Sequence, residues 1–122
     1  MDEIDITGGH APLYRTFDTG ATRDTDEGKL DYDGFLSPLV LWRYGEYMHE
    51  KRKMPDGTLR DGDNWQKGIP QDAYMKSMWR HFMAVWTSQR GFSTSDREEE
   101  LCALMFNVMG MLHQILRTEH AL

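Results

Sequence analysis

The sequence predicts an all-α fold: a small bundle of three helices with short helices and loops between them, preceded by an extended N-terminal arm and completed by homo-oligomerisation. Three observations carry this expectation. Apolar residues recur at helical spacing in three segments between residues 37 and 117, each bounded by capping or breaking residues. The third segment is apolar on two faces, more than two other helices of this length can cover. The chain has only 122 residues, 39% of them hydrophobic and 28% charged, enough for one small core.

Residues 1–33 form the predicted arm. They are rich in Gly, Thr and Asp and show no apolar period beyond Ile4 and Ile6, so they order only by packing on the body or on a neighbouring subunit. Residues 34–122 form the predicted helical body. The first helix is expected to open at Ser37-Pro38, where serine caps free N–H groups and proline loses no hydrogen bond. Val40, Leu41, Tyr44, Tyr47 and Met48 then mark its apolar side. Lys51, Arg52 and Lys53 suit the negative end of its dipole, and Pro55-Asp56-Gly57 ends it.

A polar loop over residues 54–70 holds Trp65, an unusual place for tryptophan. The second helix is expected from about Gln71, with Tyr74, Met75, Met78, Trp79, Phe82, Val85 and Trp86 as a wide apolar stripe. The third starts at Ser95-Asp96-Arg97-Glu98, read as a capping box with Ser95 as the cap, and Glu98, Glu99 and Glu100 load its positive dipole end. Along it Leu101, Met105, Val108, Leu112 and Ile115 alternate by four and three, as do Cys102, Phe106, Met109, His113 and Leu116. This double stripe places the third helix at the centre of a homo-oligomer, most simply a symmetric dimer. Nine methionines suit an adaptable interface.

Charge narrows the function. The net −6 lies in residues 1–33, with nine acids against three bases, while the body holds 11 of each. Without a basic footprint, duplex nucleic acid is not the expected partner. A small anion needs only a few converging cations, so a small nucleotide ligand stays open. One cysteine, Cys102, excludes a disulfide framework and a multi-cysteine zinc site. No apolar run reaches membrane-spanning length, and Met1, Asp2 and Glu3 do not begin like a signal peptide, so a cytoplasmic protein with no membrane partner is expected.

Candidate chemistry concentrates in a few places. Arg80-His81, flanked by Trp79, Phe82 and Trp86, pairs a phosphate-forking guanidinium with aromatics that stack on a base; the bland reading is an amphipathic helix edge. Trp65 and Lys67 in the loop are placed to close over the same region. Asn107, inside the most apolar stretch, must find a partner: a ligand, its symmetry mate, Arg80 or Tyr44, with register-setting in an oligomer as the plain alternative. His113 is read as a satisfied interface histidine. Glu46 and Glu50 on the first helix, with Asp96, Glu99 and Glu100 on the third, are the only acids that suit Mg²⁺. Against that stands a solvated helix face plus a dipole-capping acidic turn. No G-x-x-x-x-G-K-[ST] or G-x-G-x-x-G loop occurs, and no nucleophilic triad is indicated.

Gly28-Lys29-Leu30-Asp31-Tyr32, Tyr44-Gly45, Asp63-Asn64-Trp65-Gln66-Lys67-Gly68, Arg80-His81-Phe82 with Trp86, and Phe106-Asn107 occur in an order that resembles a phage family. It is the N-terminal domain of dATP/dGTP diphosphohydrolases, an all-α module linked with MazG-like nucleotide pyrophosphohydrolases. The resemblance spans roughly residues 17–116, and its most specific blocks are N-W-x-K-G and R-H-x-x-x-W. It implies a phage origin, a helical fold and a purine-nucleotide ligand. The chain departs from the family in several places. Glu100 and Ala103 stand where many members carry a histidine pair, Arg90–Ser93 lacks a G-E-x-x-D segment, and the E-E-x-x-E and E-x-x-D set of MazG-like enzymes is missing.

These departures favour a nucleotide-binding protein that sequesters a purine-derived immune signal, of cyclic ADP-ribose or cyclic dinucleotide type, without turnover or cofactor in an infected bacterial cytoplasm. Arg80, Lys67 and Arg43 then take phosphates; Trp65, Tyr44 or Trp86 stacks the base; Asn107, His81 and Asn64 meet polar edges. The alternative is a Mg²⁺-dependent purine nucleoside triphosphate pyrophosphohydrolase holding metal on Glu46, Glu50, Asp96, Glu99 and Glu100. A third reading is a phage adaptor that binds a host protein.

Overall fold

The computed structural model describes residues 13–120. The chain divides into two units, residues 1–37 and 38–122. The early part of the predicted arm, including Ile4, Ile6 and His10, lies outside the described residues.

The described part of the first unit is not wholly extended. Strands β1 (Tyr14–Thr16) and β2 (Thr22–Asp24) pair antiparallel, with Arg15 opposite Arg23. The turn between them closes through Phe17 N–H to the Ala21 carbonyl at 2.9 Å and uses Gly20 at φ +88°. Arg15 Nη1 meets Asp26 at 3.2 Å, and its guanidinium lies over the Phe17 ring. A single-turn helix, α1 (Tyr32–Phe35), follows, capped by Asp31 accepting from Gly34 N–H at 2.9 Å. The expectation of an all-α chain with an extended arm thus holds in part: the chain is mostly helical, and it carries one small two-stranded sheet. The missed signal is turn chemistry: Asp18, Thr19 and Gly20 favour a tight reversal whatever the apolar period.

The second unit is three helices. α2 (Pro38–Lys51) begins at the predicted proline. It stops at Lys51, because Arg52 and Lys53 are drawn into a reversal. Lys53 bridges Leu59, Met54 N–H donates to the Thr58 carbonyl at 2.8 Å, and Gly57 takes φ +86° in the turn. A short 3-10 turn (Asn64–Lys67) carries Trp65. α3 (Gln71–Gln89) and α4 (Arg97–Glu119), the predicted second and third helices, then pack along one another. The cap of α4 is Asp96, whose carboxylate accepts from Glu98 and Glu99 N–H; it is not Ser95, whose carbonyl instead accepts from the Ser88 hydroxyl.

The core is narrow. Tyr47 of α2 meets Cys102 and Ala103 of α4, with Tyr44 and Met48 beside them. Tyr74 of α3, 1% exposed, lies edge-on to Phe106 and against Gly110. A Cβ on Gly110 would stand 2.5–2.6 Å from the Tyr74 ring and hydroxyl, so glycine sets how closely α3 and α4 approach. Of the predicted α3 stripe only Tyr74 is buried; Met75, Trp79, Phe82 and Trp86 are all more than two-fifths exposed. α4 behaves likewise: Cys102, Ala103, Asn107 and Gly110 face inward, while Leu101, Val108, Leu112 and Ile115 face out.

Candidate functional site

The reversal after α2 builds the site. Pairing around Lys53 and Leu59 returns Arg60 beside Arg52: Arg60 N–H donates to the Arg52 carbonyl at 2.9 Å, and Arg52 Nε donates to the Arg60 carbonyl at 2.6 Å. Two guanidinium groups eight residues apart thus share the end of α2 with Lys51, whose ammonium lies over the Tyr47 ring, 5.4 Å from its centroid. Asp56 at the turn accepts from the Thr58 N–H and hydroxyl at 3.0 and 2.6 Å, and these bonds hold its carboxyl below the ordinary aspartate value.

The other wall comes from the Trp65 loop. Gln114 of α4 donates to the Ile69 carbonyl at 2.7 Å and accepts from the Gln71 amide at 2.6 Å, which fixes the chain just after the loop. Trp65 then stands edge-on to His113, with ring centroids 4.8 Å apart. Between these walls lies an open cleft of about 130 Å³ lined by Tyr47, Met48, Lys51, Arg52, Arg60, Asp61, Gly62, Asn64, Trp65 and Phe106. Three cations against Asp61 give its rim a formal charge of +2, within a chain of −6. Aromatic faces, an amide and uncompensated cations in one concavity suit a small anion with a flat apolar part.

Of the residues singled out from sequence, Trp65 and Asn64 line this cleft. Lys67 lines the neighbouring depression with Trp65, His113 and Arg117. Arg80, His81 and Trp86 lie on α3 and do not line the cleft. His81 Nδ1 meets the Glu100 carboxylate at 2.6 Å, and Trp86 stacks on Phe82 with the Arg90 guanidinium over its face. Asn107 donates to the Ala103 carbonyl of its own helix at 2.7 Å, so its amide is met within α4. Tyr44 Oη is buried without a hydrogen-bond partner among the described residues, and burial pushes its phenol up to about 12. Lys51, Arg52, Tyr47, Arg60 and Phe106 were not singled out as ligand contacts. Lys51 and Arg52 read as dipole partners, and only the turn propensity of Pro55-Asp56-Gly57 hinted that Arg60 returns to them.

Arg43 forks between two acids, Nε to Glu98 and Nη2 to Glu99, each at 3.0 Å, and the Glu99 and Glu98 bonds raise its already high pKa. The acids proposed for Mg²⁺ are spread over separate duties: Glu50 pairs with Lys53 at 2.9 Å, Asp96 caps α4, Glu99 holds Arg43 and Glu100 holds His81, while Glu46 stands exposed on α2. Among the described residues no three His, Cys, Asp or Glu side chains converge on one point, so the set does not fit a ready metal centre. No helix among them is long and apolar enough to cross a membrane.

The family model described as dATP/dGTP diphosphohydrolase, N-terminal, matches residues 19–121, a span that takes in the whole cleft. No curated protein and no solved structure matches the chain. With most of its length covered by that match, the chain belongs to the dATP/dGTP diphosphohydrolase N-terminal family.

Proposed function

We propose that this domain binds a purine nucleoside phosphate in the Trp65 cleft. The observation that carries the reading is the meeting of Lys51, Arg52 and Arg60 with Tyr47, Trp65 and Phe106 in one concavity. Phosphate oxygens go to the two guanidinium groups and Lys51, the base goes against the aromatic wall, and the Asn64 amide meets a polar edge of the base. The family match favours a deoxyadenosine or deoxyguanosine phosphate as the ligand class.

Two fates for the ligand share this cleft. Retention without turnover is supported by the carboxylates, which are spread over a helix cap, two ion pairs and a hydrogen bond to His81. Hydrolysis is supported by the family match, and in that reading Glu46, Glu50, Asp96, Glu99 and Glu100 must regroup around Mg²⁺. Titration of dATP and dGTP against Trp fluorescence, with and without Mg²⁺, followed by chromatography of the nucleotide, separates them. Arg60→Ala is expected to weaken binding by roughly 10- to 100-fold, the loss of one charge-assisted contact. Unchanged binding in Arg60→Ala and Arg52→Ala alike overturns the site. Mg²⁺-dependent release of a monophosphate, abolished by Glu100→Gln, makes the domain an enzyme.

A further inference from the structure

One acid stands among the cations of the cleft. Asp61 follows Arg60 directly and shares the concavity with Lys51 and Arg52, yet its carboxylate has no ion pair and no hydrogen bond among the described residues. Its main chain is held in place: Asn64 N–H donates to the Asp61 carbonyl at 3.1 Å, and Trp65 follows in the 3-10 turn. Asp61, Asn64 and Trp65 therefore reach the cleft from one reversal. Gly62 lies within that reversal, where even a Cβ would meet nothing within 4 Å. The amide of half-buried Asn64 is likewise unbonded among the described residues.

An unpaired carboxylate only accepts hydrogen bonds, so it repels a phosphate and suits a donor. Of the two purines, guanine presents two adjacent donors on one edge, N1–H and the 2-amino group, and the two oxygens of a carboxylate accept both at once. Adenine presents a single donor beside the N1 lone pair, and that lone pair faces the second carboxylate oxygen with like partial charge. An asparagine amide carries a donor and an acceptor and suits either base, so Asn64 alone does not tell them apart.

We propose, on the reading of the cleft as a nucleotide site, that Asp61 selects guanine over adenine. The guanine ring lies against Trp65, its N1–H and 2-amino groups donate to the two Asp61 oxygens, and the Asn64 amide donates to O6 beside them. Lys51, Arg52 and Arg60 keep the phosphate. Asp61 then acts twice: it reads the base, and by repulsion it turns away a phosphate at the base end of the cleft.

Calorimetric titration of the full chain with dGMP, dAMP and the deoxy monophosphates of inosine and xanthosine, in EDTA, tests the assignment. The wild type is expected to bind dGMP on the order of 10- to 100-fold more tightly than dAMP, the worth of one two-point base contact. The inosine form keeps N1–H but lacks the amino group and should fall between them. In Asp61→Asn the preference for dGMP should collapse. The xanthosine form should gain affinity there, because the new amide donates to its 2-oxo group while still accepting from N1–H. A merely structural role for Asp61 produces no such exchange of bases. The side chain is exposed and unbonded, so far-UV circular dichroism should not change, and the inosine comparison needs no variant. Equal affinity of the wild type for dGMP and dAMP overturns the assignment, as does a preference that survives Asp61→Asn. A loss shared by all four bases and seen only with added Mg²⁺ makes Asp61 a metal ligand and overturns it too. Arg60→Ala and Arg52→Ala separate this from the cleft reading: if both bind like the wild type while the base preference answers to Asp61, the phosphate placement falls and Asp61 stands. No binding of any of the four overturns both.

Discussion

Two glycines in helix interiors should respond to the same substitution with opposite signs. In Gly45→Ala the new methyl on α2 meets nothing within 4 Å, so only helix propensity acts, and the protein should gain about 0.8–1 kcal/mol. In Gly110→Ala the methyl lands 2.5 Å from Tyr74 Oη and 2.6 Å from Cε1 and Cζ, roughly 1 Å inside ordinary contact. The ring is 1% exposed and has nowhere to retreat, which puts the overpacking cost toward the upper part of the ~1–3 kcal/mol range. After the propensity gain, a net loss of about 1–2 kcal/mol remains. The two variants should therefore differ by about 2–3 kcal/mol, or roughly 10 °C in Tm. Urea and thermal unfolding at one fixed protein concentration measure this. Tyr74→Leu should turn Gly110→Ala from destabilising to neutral or stabilising. A Gly110→Ala protein stabilised as much as Gly45→Ala would refute the close approach of α3 and α4.

Burial holds the Tyr44 phenol neutral up to about pH 12 against an ordinary value of 10, so the folded state retains a proton that the unfolded chain gives up. Stability should thus be intact below pH 10 and fall as pH rises from 10 toward 12, with Tyr44→Phe moving the alkaline unfolding midpoint upward. The Cys102 thiol, buried and likewise pushed up, should alkylate far more slowly with iodoacetamide at pH 8 than in urea, as mass spectrometry would record. Arg43→Lys keeps the charge but cannot reach Glu98 and Glu99 with two parallel donors, so its Tm should drop below that of the wild type. Gln114→Leu removes the bonds to Gln71 and Ile69; it should cost about 1–2 kcal/mol, expose residues 60–70 to limited proteolysis, and weaken ligand binding without touching the cleft.

The helical body was legible because its signals are local. Pro38, Gln71 and the acidic turn after Asp96 mark helix starts whatever surrounds them. The hairpin at Tyr14–Asp24 was not legible from apolar period, since a three-residue strand gives too short a pattern and its register follows from the turn at Gly20. The cleft was half legible. Trp65 and Asn64 stand out as a conspicuous aromatic and amide in a polar loop. Arg52 and Arg60, in contrast, become neighbours only through the pairing of Lys53 with Leu59, a contact that no helical spacing encodes. Arg80 attracted attention through its aromatic neighbours in sequence, yet residues adjacent along a helix point to different faces. The acids were read as one group, but Glu99 and Glu100 turn to groups on other helices, Arg43 and His81, and Asp96 is spent on the cap of α4.

The Arg52–Arg60 pairing also makes the loop after α2 responsive to the salt around it. Both Nε atoms are spent on neutral acceptors, Arg52 on a carbonyl and Arg60 on the Met54 sulfur at 2.9 Å, so the hydrogen bonds that fix the two side chains cancel none of their charge. Two like charges on the rim of one cleft repel each other, and an anion bound at that rim relieves the repulsion. The reversal should accordingly behave as an anion-tightened clasp. Amide exchange at residues 52–60 should slow in millimolar phosphate or sulfate, and much less in chloride of equal ionic strength, because a tetrahedral oxyanion can accept from both guanidinium groups at once.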